Sequence, residues 1–140
     1  LLCFMGILYL AFVQAQAIKH PFLLYTPQRI QQVKQRMQHE PKLQEAWGDI
    51  KRTADEALQK KDFNRLDYLS LAYLMTDNKE YADAIKEILL KAVEAESWGD
   101  VEMMARIPAW RSQLGMAHKS FLSAVGYDAA MSCLLQKEKR

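Results

Sequence analysis

Leu66-Asp67-Tyr68-Leu69-Ser70-Leu71-Ala72-Tyr73-Leu74-Met75-Thr76-Asp77-Asn78-Lys79-Glu80-Tyr81-Ala82-Asp83-Ala84-Ile85 is the stretch that decides the fold. Leu66, Leu69, Ala72 and Tyr73 recur at the three- and four-residue spacing that lines one face of a helix. Thr76-Asp77-Asn78 breaks the pattern with short polar side chains that compete for backbone hydrogen bonds. The spacing resumes at once, with Tyr81, Ala84, Ile85, Ile88, Leu89 and Ala92 on one stripe. The pattern predicts one helix from about Arg65 to Met75, a tight break, and a second from about Lys79 to Glu96.

The same signature extends outward in both directions. Thr26-Pro27 reads as a helix N-cap followed by proline at the first helical position. A helix then runs to about Gln38, with Ile30, Val33 and Met37 on one face. Pro41 opens the next helix by the same logic. Leu43, Ala46, Trp47, Ile50, Ala54, Ala57 and Leu58 form its apolar stripe, to about Lys60. A last helix is expected from Ser112 to about Leu135. Leu114, Ala117, Phe121, Ala124, Val125, Met131 and Leu135 would form its inner face. No segment alternates with period two, so the expected class is all-α. The helices pair as successive antiparallel hairpins.

The compartment is read from the first seventeen residues. Leu1 to Val13 carries no charge and is followed by Gln14 and then Ala15-Gln16-Ala17. An apolar run closed by A-x-A is the pattern of a secretory signal peptide. It is too short for the roughly 20 apolar residues of a membrane span. No initiator Met or basic n-region precedes Leu1, so residues 1–17 read as a signal peptide lacking its n-region. Cleavage leaves residues 18–140 and one cysteine, Cys133, which excludes a disulfide framework or a cysteine-based zinc site. Export without disulfides fits a periplasmic or secreted bacterial protein. The net charge of +2, with both signs interspersed, does not point to nucleic acid. No membrane association is expected after cleavage. Leu134 to Arg140 is a charged, helix-favouring run without a stop signal. Residues 18–140 therefore read as the N-terminal part of a longer domain, and the missing C-terminal part of the same chain is an expected partner.

Few residue patterns carry chemistry. His20, His39 and His118 share no metal-binding helical spacing, and no metal or other cofactor is expected. His20 and His39 sit beside prolines at helix entries and read as local structural residues. His118 reads as a partly exposed helical side chain. Tyr73, Tyr81 and Tyr127 fall on or beside apolar stripes and read as core residues with bonded hydroxyls. Tyr127-Asp128 reads as a buried polar pair. The irregular stretch Trp98 to Arg111 departs from the helical pattern and holds two of the three tryptophans. Aromatic rings stack on sugar faces and arginine forks pair with carboxylates or sulfates. Trp98, Trp110 and Arg111 are the candidate substrate-binding residues. The alternative reading is an inter-helix loop whose tryptophans cap the core.

Several segments, taken in order, resemble a known family. His20-Pro21-Phe22-Leu23-Leu24-Tyr25-Thr26, Leu71-Ala72-Tyr73-Leu74-Met75-Thr76-Asp77 with Tyr81-Ala82, Trp98-Gly99-Asp100, and Arg111-Ser112-Gln113-Leu114-Gly115 running to Gly126-Tyr127-Asp128 resemble segments of exported heparinase II/III-like and alginate-lyase-like polysaccharide lyases. Phe22 stands where that family usually has Arg, and Asn78 where its hairpin usually has Gly. The resemblance implies that residues 18–140 open an (α/α) toroid that is incomplete at Arg140, with a β-sandwich domain after it. It implies β-elimination of uronic-acid-containing polysaccharide, so the expected partner is an acidic polysaccharide or oligosaccharide. The family's Asn, His and Tyr that perform the chemistry lie on later helices. No catalytic residue is therefore carried onto this chain.

Two alternatives come from other classes. One is a helical-repeat, tetratricopeptide-like periplasmic binding module, against which no 34-residue period recurs. The other is a glycoside hydrolase on the same toroid, which needs paired carboxylates; Asp100 and Asp128 are the only hints. The leader reading makes its own prediction. N-terminal sequencing of the exported protein should give Ile18 as the first residue, and retention of Leu1 to Val13 in a membrane-bound product would refute it.

Overall fold

Proline and short polar side chains start the first helices, as the sequence predicts. The computed structural model describes residues 19–95, 97–99, 102, 105, 106, 108 and 113–136. Residues 1–17, read as the leader, lie outside them. Helix α1 is Pro27–Met37, with Thr26 Oγ1 accepting from the Arg29 N–H at 3.3 Å. Helix α2 is Pro41–Lys60. Glu40 precedes it without capping it, because its carboxylate is engaged by the Arg36 guanidinium through two bonds of 2.7 and 2.8 Å. A 3-10 turn, Phe63–Arg65, leads into α3, Leu66–Thr76. Helix α4 is Lys79–Glu94 and α5 is Leu114–Gln136. Among the described residues every regular element is helical. None of their helices is long and apolar enough to cross a membrane.

Two links need a left-handed backbone, and neither uses glycine. Lys61 ends α2 at φ 52° and Asp77 ends α3 at φ 59°. The Asp77 N–H donates to the Tyr73 carbonyl at 2.7 Å, closing the last turn of α3. Asp is among the residues that enter this conformation more readily than most, because its short polar side chain can bond to nearby backbone. The residue that takes the turn's positive φ is thus Asp77 rather than Asn78. Asn78 has extended backbone and caps α4, its side-chain oxygen accepting from the Glu80 N–H at 3.1 Å.

Helix α3 is the centre of the packing. It is apolar around most of its circumference, which requires neighbours on several sides. It packs against α2, α4 and α5, and more lightly against α1. Leu66, Leu69, Ser70 and Ala72 are fully buried, and the Ser70 hydroxyl is satisfied by the Leu66 carbonyl at 2.6 Å. From α4 come Tyr81, Ala82, Ile85 and Ile88, and from α2 Ala54 and Ala57. Trp47, Leu58 and Phe63 pack against this cluster from its edge. Ala46, expected on the inner stripe of α2, is exposed.

Helix α5 buries only part of the face its spacing predicts: Val125 is inside, 3% exposed, but the predicted residues before it are turned outward. Leu114 is 92% exposed and Phe121 52% exposed, while Ala117 and Ala124 also face solvent. The buried stripe is Leu122, Val125, Gly126, Ala129 and Ala130, with Cys133 packed at its end. Small residues win because they let the helix axis approach α3 and α4 closely. A Cβ at Gly126 would sit 3.3 Å from Ile85 Cγ2 and 3.4 Å from Leu66 Cδ2. Tyr127, expected in the core, lies beside this stripe and is 48% exposed.

Two of the helical glycines, Gly48 and Gly126, should therefore respond oppositely. Gly48, exposed in the middle of α2, has nothing within 4 Å of where a Cβ would stand. Gly48→Ala should raise stability by about 1 kcal/mol through helix propensity alone. Gly126→Val should lower it by about 1–3 kcal/mol by overpacking the α3–α4–α5 contact. Urea denaturation of the two variants beside the parent measures both; a neutral Gly126→Val would refute the close approach.

Candidate functional site

Among the described residues the one buried charged group is Asp128, in the middle of α5. It is 3% exposed and is the only charged residue between Lys119 and Lys137. An ionised carboxylate buried without partners costs several kcal/mol, so its donors must come from elsewhere in the fold. They come from the segment that precedes α1. His20 Nδ1 lies 2.6 Å from Asp128 Oδ1. The Phe22 N–H donates to Oδ2 at 2.9 Å and more weakly to Oδ1 at 3.2 Å. The Leu23 N–H donates to Oδ2 at 2.9 Å. The His20–Pro21 peptide between these donors is cis.

This arrangement fixes the imidazole. A carboxylate only accepts, so Nδ1 is the donor in this pair. The ring lies tilted against Phe22 at 5.0 Å and edge-on to Tyr127 at 6.5 Å. A carboxylate orienting an imidazole is the geometry of a supported general base. The hydrogen bonds at this junction otherwise run to backbone N–H groups, and Asp128 acts first as the clasp that holds the N-terminal segment on α5. The sequence reading of His20 as structural holds, but its partner lies 108 positions away. Asp128 is buried as expected, while Tyr127 is not its partner. One signal was available for the clasp: a lone acid inside an otherwise uncharged helical run demands a donor.

Of the three candidate substrate-binding residues, Trp98 is described; Trp110 and Arg111 lie outside the described residues. Trp98 is half-buried. Its indole N–H donates to the Ala92 carbonyl at 2.7 Å, which satisfies an otherwise open acceptor in the last turn of α4. Its ring meets Phe63 edge-on at 6.4 Å. Its own carbonyl accepts from Lys119 Nζ at 3.1 Å. Trp98 therefore ties the end of α4 to the 3-10 turn and to α5, and the indole N–H is already engaged.

Two further clusters hold tuned groups. Tyr81 donates its hydroxyl to Asp55, whose other oxygen takes Lys51 Nζ at 2.8 Å. The Lys51 ammonium, and then the Tyr81 hydroxyl, hold the Asp55 carboxyl below the usual carboxylate range. Burial, reinforced by Asp55, pushes the Tyr81 hydroxyl up. This link joins α4 to α2. The second cluster is a cavity of about 160 Å³ lined by Tyr25, Ile50, Asp67, Tyr68 and Leu71. Burial, with the charge of Asp67 beside it and Tyr68 nearby, pushes Tyr25 up to about 12. A larger open cleft of about 300 Å³ lies between Pro21, α1 and Leu74 of α3, with Lys34 and Gln31 among its walls. Among the described residues no group of His, Cys, Asp and Glu is arranged to hold a metal ion. His39 and His118 are both exposed.

The clasp is open to direct test. Asp128→Ala removes the acceptor for three donors, and charge-assisted bonds are the stronger class, so stability should fall by about 3 kcal/mol. Amide exchange at Phe22 and Leu23 should accelerate sharply. His20→Ala should cost less and leave both amides protected, because Asp128 still accepts them. Unchanged exchange at these amides in Asp128→Ala would refute the clasp.

Searched against protein-family models, curated proteins and solved structures, the chain matches none of them.

Proposed function

We propose that this chain is the N-terminal part of the (α/α) toroid of an exported polysaccharide lyase that cleaves uronic-acid-containing polysaccharide by β-elimination. One observation supports the reading above the others. Two of the segments that carry the family resemblance, His20 to Thr26 and Gly126-Tyr127-Asp128, meet in a single junction despite lying about a hundred positions apart. A third, Leu71 to Asp77, supplies half of the central helix on which α5 packs. The resemblance thus falls on residues that depend on one another, not on scattered matches. The apolar stripe Leu114, Ala117, Phe121 and Ala124 gives further helices of such a domain a face to cover.

In this reading the chain binds and positions an acidic saccharide, and the base and acid for elimination lie on later helices. The general chemistry needs a cation against the uronate carboxylate, a base for the C5 proton and an acid for the leaving oxygen. Arg111 is assigned the first kind of contact and Trp110 a stacking contact. Trp98, with its indole N–H engaged by Ala92, has only its ring surface to offer a sugar. Export to the periplasm or beyond the cell belongs to the same proposal.

The experiment is a lyase assay on the full-length protein, following the unsaturated uronate product by ultraviolet absorbance. Arg111→Ala should weaken binding of an acidic oligosaccharide roughly ten- to a hundredfold, the loss of one charge-assisted contact. Trp110→Ala should weaken it with less dependence on salt, since stacking is not screened as an ion pair is. Residues 18–140 alone should form no product. Lyase activity from residues 18–140, or full-length kinetics indifferent to both substitutions, would overturn the assignment.

A further inference from the structure

We propose that the cavity between Tyr25, Ile50, Asp67, Tyr68 and Leu71 binds a small alkylammonium ion. The cavity lies where the N-terminal segment meets α2 and α3, and neither Asp128 nor Trp98 lines it. Its volume of about 160 Å³ suits a group of a few heavy atoms. Ile50 and Leu71 make an apolar wall, and two phenol rings and one carboxylate complete the lining. That combination is the chemistry of ammonium recognition: the ring faces carry negative potential, the carboxylate supplies the opposite charge, and apolar contacts suit the alkyl groups.

Three observations carry the assignment. First, Asp67 has no basic group within ion-pair distance among the described residues. Its Oδ1 accepts the Tyr68 N–H at 2.9 Å, which fixes the carboxylate beside the cavity and leaves Oδ2 without a hydrogen-bond donor among the described residues. Second, Tyr68 already attracts a cation. The Arg65 guanidinium lies 5.3 Å from the centre of its ring. Third, the Tyr25 hydroxyl donates to the Asp67 carbonyl at 3.5 Å, which holds its ring beside Asp67, and like any tyrosine it is neutral at physiological pH. The cavity therefore presents one negative charge and two neutral rings, a lining that disfavours anions. Arg65 does not line the cavity, but its charge beside Tyr68 opposes entry of a second cation.

The opposed roles of Asp67 and Arg65 give a two-signed test. The full chain is titrated with tetramethylammonium chloride at fixed ionic strength, and backbone amides are followed by NMR. Saturable shifts are expected at Tyr25, Asp67, Tyr68 and Leu71. The neutral analogue of similar shape, tert-butanol, should give none that saturate. Asp67→Asn keeps an oxygen acceptor for the Tyr68 N–H and removes the charge, so it should weaken binding about tenfold, the equivalent of about 1.4 kcal/mol. Arg65→Gln, on an exposed residue, should strengthen binding several-fold. Equal binding of tert-butanol, an unchanged affinity in Asp67→Asn, or weaker binding in Arg65→Gln would each overturn the assignment.

Discussion

The constraint on which the structure depends is that α3 has no wide solvent face. A helix of eleven residues with Leu66, Leu69, Ala72 and Tyr73 buried must be wrapped by other elements or remain unfolded. Helices α2, α4 and α5 do the wrapping, α2 and α5 largely through small residues and α4 through Tyr81, Ile85 and Ile88. Isolated helices of this length are marginal in water, and tertiary burial supplies what local propensity lacks. The three neighbours are therefore coupled through α3. A change at the Gly126 contact reaches both Leu66 and Ile85 at once.

Polar links stand where this wrapping leaves acids or hydroxyls inside. Asp128 is the most demanding, since its buried charge must be matched by donors, and the N-terminal segment provides them with two backbone N–H groups and an imidazole. The consequence is topological. The start of the described chain is fastened to its last helix, closing the molecule on itself through a polar contact beside the apolar core. Tyr81 with Asp55 and Lys51 does the same between α4 and α2 at the surface, where solvent weakens what such a bond contributes. The Tyr73 hydroxyl, 2.7 Å from the Cys133 sulfur, ties α3 to the far end of α5.

The surface carries a second pattern. The clasp binds Phe22 and Leu23 through their backbones, so their side chains project outward, and Leu24 follows them into solvent. On the neighbouring helix Phe121 and Tyr127 are about half exposed. In the lyase reading these side chains are available to further helices of the same domain. The Trp98 segment then has two roles to reconcile, since the residue that closes the end of α4 is also a candidate wall of the saccharide cleft.

The sequence by itself determined the local architecture. Pro27 and Pro41 mark where α1 and α2 begin, Thr26 caps the helix it precedes, Thr76-Asp77-Asn78 marks the break before α4, and the all-α class follows from helical spacing. These signals are legible because each acts within about four residues of where it is written. Tertiary structure alone decided which face of α5 points inward. The spacing picks out Leu114, Ala117, Phe121, Ala124 and Val125, of which Val125 is buried, while Leu122, Gly126, Ala129 and Ala130 complete the face that is inside. Spacing weighs side-chain size, however, whereas packing against α3 and α4 rewards close approach. The partner of Asp128 was likewise beyond local reading. The lone acid announced that a donor was required. Which residue supplied it depended on how the chain returned across 108 positions, and no short-range rule of spacing or propensity encodes that return.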